Sequence, residues 1–333
     1  MEEIIPATLT QKQEAATCVK TGSLTTIGTI SFNGQEYFDT MEEILPIDPD
    51  AHSLDLSTMK WKWERRFDSY NAVALILCGC GSMKQEFRDV ELSKTEIPAT
   101  FTQAGEIEYA AAIVIGKKRF TSTYKEILPI KELVSTTEEF LEGIQKESYD
   151  LVLEGDILLS DEVILDGKYA HIDLNGHTIT LTAQPLCITA EYAKIENGNI
   201  LTDIVNSADF YAITSDNQAQ IIIENITALG GINIKNAHAI LRNADITSNS
   251  SYAICAQKEA EVVLESGVLK TTSTNDNTYF FWVEGLESEN DLSYEASSLT
   301  IKKDVSLYSA LPANLFDLTT GIEPIFETEL EIK

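Results

Sequence analysis

Through the second half of the chain, apolar and polar positions recur every ~20 residues, a period that marks stacked supersecondary units. A short apolar stretch runs into a polar residue and an Asn or Ser, then into a second apolar stretch. The copies are Ile172-Asp173-Leu174-Asn175-Gly176, Ile195-Glu196-Asn197-Gly198, Ile223-Glu224-Asn225, Leu241-Arg242-Asn243-Ala244 and Leu264-Glu265-Ser266-Gly267. Each is too short to bury a face alone, whereas stacked copies share one apolar core. The pattern predicts a right-handed parallel β-helix from about residue 150, with about seven coils between residues 150 and 310 at ~22 residues per coil. At ~4.8 Å per coil it would stand ~34 Å tall. The aligned Asn residues are expected at tight turns, where Asn tolerates left-handed backbone and can bond the backbone of the next coil.

The first 132 residues carry a different regularity. Ala16-Thr17-Cys18 through Glu43-Ile44-Leu45-Pro46-Ile47 aligns without a gap onto Ala99-Thr100-Phe101 through Glu126-Ile127-Leu128-Pro129-Ile130, since 99 − 16 and 129 − 46 both give 83. In each copy a β-branched or apolar run (Thr25 to Phe32, Glu108 to Ile115) meets a turn, Asn33-Gly34 or Gly116-Lys117, before a second strand. That is a hairpin signal. Between the copies, Trp61-Lys62-Trp63 alternates with period two and Ala72 to Leu77 is apolar. The expected fold is therefore mainly β: N-terminal β-sandwich-like modules, then the β-helix with a short helical cap. The boundaries read as a first β module at 1–50, a second at 51–132, a cap or linker at 133–148 and the β-helix at 149–333. In the linker, Thr136 and Glu139 fit a capping box, with Phe140, Leu141 and Ile144 forming one apolar face. Such a helix would cover the open end of the first coil.

Charge narrows the class of partner. Over 333 residues the net charge is −29, with 44% hydrophobic residues, so the chain can build cores yet repels phosphate backbones and anionic lipid. Nucleic acid and membrane insertion are not expected. Met1-Glu2-Glu3 lacks the start of a signal peptide, and no apolar run reaches membrane-spanning length.

The phrases Ala16-Thr17-Cys18 with Gly22, Phe32-Asn33-Gly34, Ile44-Leu45-Pro46, Trp61-Lys62-Trp63 and Cys78-Gly79-Cys80, over residues 6 to 132, resemble those of the repeat-bearing surface proteins of Gram-positive gut bacteria. The second half is similar to pectate-lyase-type solenoids, most closely at Asp173-Leu174-Asn175-Gly176-His177-Thr178-Ile179. The resemblance implies an exposed, extracellular, multi-module role in binding or structure, and identifies no catalytic residues.

The candidate chemistry is sparse. Cys18 aligns with Phe101, which suggests an apolar core position. Cys78 and Cys80 with His52 make half a zinc site and lack the two-plus-two thiolate spacing, so no metal is expected. Cys187 and Cys255 lie in apolar strand contexts and read as small inward-facing hydrophobes. A polysaccharide lyase or glycoside hydrolase would need paired carboxylates, or calcium-binding carboxylates with a cationic base. Asp203, Asp209 and Asp216 are spread over a loop-rich segment, His171 and His238 fall in strands, His177 in a turn, and Arg242 beside Asn243. No catalytic residue is assigned, and calcium enters only with that enzyme alternative.

Binding has more to work with. Tyr211 and Tyr252 are 252 − 211 = 41 residues apart, about two coils, and with Tyr279 and Trp282 they offer aromatic faces suited to sugar rings. In Tyr279-Phe280-Phe281-Trp282, alternate members are expected to point inward. The sequence thus reads as a non-enzymatic structural or attachment protein of a virion (tail, fibre or capsid decoration) or a bacterial cell surface. Its expected partners are a surface glycan or envelope protein and neighbouring structural proteins, and a homo-oligomer is compatible. The absence of a signal peptide, wall-sorting motif or anchor tilts the expectation toward the virion. The alternative is a secreted polysaccharide-cleaving enzyme.

Overall fold

The 83-residue offset is matched strand for strand. The computed structural model describes residues 6–203, 211–248, 252–272, 279–285, 296–309, 314–317, 322–327 and 332. In it the first copy is an antiparallel sheet of β1 (Thr8–Glu14), β2 (Gly22–Phe32) and β3 (Gln35–Leu45), joined in that order. A 3-10 turn, Leu56–Thr58, follows; the Asp55 carboxylate accepts the Ser57 N–H at 2.8 Å and caps it. A second sheet is built from β4 (Lys60–Arg66), β5 (Ser69–Leu77) and β6 (Lys84–Phe87). The second copy comprises β7 (Glu91–Ile97), β8 (Gly105–Ile115) and β9 (Lys118–Leu128), in the same order. Each strand starts and ends 83 residues after its counterpart, as 91 − 8, 105 − 22 and 118 − 35 show.

The loops are duplicated too. The Thr17 N–H donates to Lys20 O at 2.8 Å, and Thr100 N–H to Gln103 O at 2.9 Å. A Cβ added at Gly22 would lie 2.4 Å from Glu14 O, and one at Gly105 2.4 Å from Ala99 N, so the chain crossing at both places requires glycine. The first hairpin turns through Asn33 (φ 52) and Gly34 (φ 79), both left-handed, as a two-residue turn between twisted strands demands.

Contacts divide the chain into two units. One comprises Met1–Glu64, Asn71–Ser93 and Ala110–Thr123; the other comprises Arg65–Tyr70, Lys94–Tyr109 and Tyr124–Lys333. The boundary cuts through β4, β5, β7, β8 and β9.

In the second unit, β10 (Lys131–Val134) precedes the helix α1 (Thr137–Gly143), whose N-cap Thr136 accepts the Glu139 N–H at 3.2 Å. Glu139 in return accepts the Ser135 N–H at 2.8 Å. Phe140 and Ile144 are buried, but Leu141 points outward at 38% exposure, so the apolar face is Phe140, Gly143 and Ile144. That face lies on the first repeat, where Gly143 leaves room for the Leu151 side chain.

Strands then recur in repeats. The first holds β11 (Ser148–Leu153), β12 (Ile157–Leu159) and β13 (Val163–Leu165). The second holds β14 (Tyr169–Asp173), β15 (Thr178–Leu181) and β16 (Leu186–Ile188). The next pairs are β17 (Tyr192–Thr202) with β18 (Tyr211–Ser215), and β19 (Gln220–Leu229) with β20 (Gly231–Lys235). Then come β21 (His238–Ser248) with β22 (Tyr252–Gln257), β23 (Glu261–Thr271) with β24 (Tyr279–Val283), and β25 (Ser298–Ser309) with β26 (Asn314–Phe316); β27 (Ile325–Phe326) closes the series. One long parallel sheet runs β10-β11-β14-β17-β19-β21-β23-β25-β27, and a second runs β13-β16-β18-β20-β22-β24-β26. These sheets are consistent with a β-helix of seven repeats.

Register explains the core. Leu151, Ile172, Ile195, Ile223, Leu241, Leu264 and Ile301 are successive partners in the first sheet, all fully buried. Leu186, Ile213, Ile232, Ile254 and Phe281 form the matching column of the second. Each such side chain contributes about 1.5–3 kcal/mol on leaving water. The spacing between partners is not fixed: it ranges from 18 residues (Ile223 to Leu241) to 37 (Leu264 to Ile301), because connections, not strands, absorb the variation.

The Asn positions bend the strands as expected, with Asn175, Asn197, Asn225 and Asn243 at φ 48, 61, 53 and 47. Their hydrogen bonds differ from expectation. Asn243 Nδ2 donates to Asn225 Oδ1 at 3.0 Å, Asn225 Nδ2 to Asn197 Oδ1 at 3.0 Å, and Asn197 Nδ2 to Asp173 Oδ1 at 3.1 Å, a side-chain ladder from repeat to repeat. Only Asn175, which sits outside this column, uses its amide on backbone, at Leu153 O.

Candidate functional site

The residues expected to bind are brought together on the second parallel sheet. Tyr211, Tyr252 and Tyr279 open β18, β22 and β24, with Gly231 at the equivalent place in β20. Tyr211 and Tyr252 are therefore two repeats apart. Gly231 makes room for the Tyr211 ring, since a Cβ there would lie 2.8 Å from Tyr211 Cδ1. The ring reaches across to β22, with its hydroxyl 3.2 Å from Cys255 Sγ. Tyr252 stacks on Tyr279 (centroids 5.9 Å, 22° between planes) and approaches Trp282 at 6.1 Å. Its hydroxyl donates to Asp317 Oδ2 at 2.8 Å; burial and that carboxylate push its ionisation far up. All four aromatics are half-buried. The strand of Tyr279 to Trp282 does not alternate as expected: Phe280 and Phe281 are both fully buried, as are Ala212 and Ile213 in β18 and Ala253 and Ile254 in β22.

A second feature is a cavity of about 300 Å³ in the second unit, lined among others by Arg65, Asp68, Glu126, Asp150, His171 and Lys194. Its charges are matched. Arg65 pairs with Glu126 and lies over the rings of Tyr70 and Tyr192 at 4.7 and 4.5 Å. His171 stands between Asp150 (Nδ1 to Oδ1, 2.9 Å) and Glu196 (Nε2 to Oε1, 2.8 Å), and Lys194 reaches Glu196 at 2.7 Å. The Asp150 contact is an ion-pair approach off the hydrogen-bond axis, since Asp150 Oδ1 has no aligned donor among the described residues. Burial opposes the imidazolium, but the two carboxylates outweigh it and raise His171 above its ordinary value. Burial likewise opposes ionised Glu196, yet His171 and Lys194 hold it down to about 2. The result is a standing ion network with each charge already engaged.

Of the residues an enzyme would need, His171 and Arg242 both line that cavity, whereas the loop acids are not brought together among the described residues. Asp203 is exposed at the end of β17, while Asp216 closes a turn by accepting Asn217 N–H at 2.8 Å; Asp209 lies outside the described residues. His177 faces Asp156 at 3.5 Å, His238 faces Glu261 at 3.0 Å, and Arg242 bridges Glu265 (2.8 Å) and Asp68 (3.6 Å).

Three cysteine expectations need revision. Cys187 is half-exposed between buried Leu186 and Ile188, so it points outward. Cys255 is fully buried, but it shares the outward column with Cys187, Thr214, Asn233 and Trp282, and Tyr211 reaches over it. Cys18 is partly exposed and lies in a thiol cluster of the first unit, Cys18 Sγ being 3.1 Å from Cys78 Sγ. His52 Nδ1 lies 3.7 Å from Cys78 Sγ and 3.4 Å from Cys80 Sγ. Sequence spacing hid this grouping, since Cys18 stands 60 residues before Cys78. Its visible signal was that the phrases Ala-Thr-Cys and Cys-Gly-Cys both occur within residues 6 to 132, with His52 between them.

No protein-family model matches the chain, and neither does any curated protein or any solved structure.

Proposed function

We propose that this protein is a non-enzymatic structural or attachment protein of a virion or a bacterial cell surface, in which sandwich-like β modules precede a right-handed parallel β-helix that presents an aromatic patch to a surface glycan or envelope protein. The observation that carries this reading is the register of Tyr252 on Tyr279 with Trp282 alongside, on one face of a rigid parallel sheet. Flat half-buried rings at fixed spacing suit stacking on sugar rings, and their order is provided by the sheet before any ligand arrives. Weak sites suffice when many copies are displayed together, because avidity multiplies small affinities.

The test is glycan-array and envelope-fraction binding by the full chain, with Tyr279→Ala and Trp282→Ala compared at equal folded fraction by circular dichroism. Loss of signal in both variants supports the reading. Unchanged binding removes the patch from it, and release of unsaturated sugars from pectin or alginate by the wild-type chain replaces it with the lyase alternative.

A further inference from the structure

Three loops of the first unit converge on one point. Cys18 comes from the β1–β2 connection, His52 from the segment after β3, and Cys78 and Cys80 from the β5–β6 turn. One ligand atom from each of the four residues lies within 4.8 Å of all the others. We propose that Cys18, His52, Cys78 and Cys80 form a structural zinc site that ties the first β module to the sheet that follows it.

The donor set selects the ion. Three thiolates and one imidazole are the soft and borderline ligands of a closed, four-coordinate zinc centre, whereas calcium and magnesium take oxygen. In a tetrahedron with Zn–S near 2.3 Å, ligand atoms stand about 3.8 Å apart. The distances from His52 Nδ1 to Cys78 (3.7 Å) and Cys80 (3.4 Å) are close to that edge, and the Cys18–Cys78 pair, at 3.1 Å, needs to open by a fraction of an ångström. A disulfide would require that pair to close to about 2.05 Å, and it would leave Cys80 and His52 with no role.

The backbone is arranged for this purpose. Cys18 N–H donates to Ala51 O at 3.0 Å, which brings the first loop against the residue preceding His52. Cys78 N–H donates to Met83 O and Gly81 N–H to Cys78 O, both at 2.8 Å, closing the turn that carries both thiols. The duplicate provides an internal control. Its loops share the bond from Asp48 N–H to Thr17 O at 3.3 Å, matched by Lys131 N–H to Thr100 O at 3.1 Å, but not the one from Cys18 N–H to Ala51 O, and the positions of Cys18 and His52 are Phe101 and Ser135 there. The shared skeleton needs no ligands, so the cysteines and histidine are an addition specific to the first copy.

The experiment is elemental analysis of the full chain purified under reducing conditions without chelator, followed by cobalt substitution. One zinc per chain, and the absorption of a tetrahedral thiolate cobalt centre, are expected. Cys80→Ser and His52→Ala should weaken zinc binding by roughly 100-fold, while Cys187→Ser binds as wild type. Chelator added to the wild-type chain should speed proteolysis within residues 6–93, a readout that does not depend on a variant folding. Metal-free protein with reactive Cys18, Cys78 and Cys80 thiols, or a Cys18–Cys78 disulfide that zinc and reductant together fail to replace, would overturn the proposal.

Discussion

In the first copy of the duplicated module, all seven residues of β1 and ten of the eleven in β3 are exposed, and β2 buries only Gly22. In the second copy, β8 buries Gly105, Ile107, Tyr109, Ala111 and Ala112. The counterparts of the last four in β2 are Leu24, Thr26, Gly28 and Thr29. Backbone geometry is common to both, so it was set by what the copies share: the Thr-capped loop, the obligatory glycine and the hairpin turn. Burial follows from what they do not share. Tyr109 meets Tyr70 edge-on at 5.0 Å, and Tyr124 meets Tyr70 at 4.5 Å, so the second copy has an aromatic core where the first has a threonine at the matching position. A duplicated sheet can therefore persist with little burial, and the proposed zinc site supplies cross-linking where packing is thin.

The comparison can be broken at the aromatic cluster. Tyr109→Ala is expected to cost about 3–5 kcal/mol, and Thr26→Ala, its counterpart, to stay within about 0.5 kcal/mol. Equal losses in denaturant titrations would contradict the contrast in burial. The shared skeleton is tested by Gly22→Ala and Gly105→Ala, which should each lose roughly 2–3 kcal/mol, since both place a Cβ against backbone. If only one copy suffers, the loops are not equivalent.

Asn197→Leu should cost about 1–2 kcal/mol, through a left-handed Leu and the ladder bonds to Asp173 and Asn225. A melt equal to wild type would remove the ladder from the stability of the repeats. The smallest effect expected is in pH. Glu196, held down to about 2, stabilises fully above its ordinary 4.5 and loses this as pH falls through about 2. His171, raised above its ordinary 6.5, stabilises fully below 6.5 and loses this as pH rises through the raised value. Melting temperature contributed by this network should therefore peak between 4.5 and 6.5, and His171→Gln should flatten the alkaline side. An unchanged alkaline slope would show that the imidazolium is not what holds the cavity.

The sequence by itself determined the local grammar of this protein. Alternation and β-branched runs specified strands, Asn at φ-demanding positions specified the bends, and an ungapped offset of 83 specified two like sheets, because these depend on residues close in the chain. The placement of Tyr211 and Tyr252 two repeats apart was also legible, since 41 residues span about two periods of the pattern. Only the tertiary structure decided what depends on contacts between distant segments. Ladder register joined Asp150, His171 and Glu196 into one network, turned Cys187 outward and laid Tyr211 over Gly231. Loop closure brought Cys18 to Cys78 and His52. Cys78, Cys80 and His52 were legible as half a site from their short spacing, but Cys18, 60 residues before Cys78, read as a core position until the backbone hydrogen bonds that gather the loops are in view.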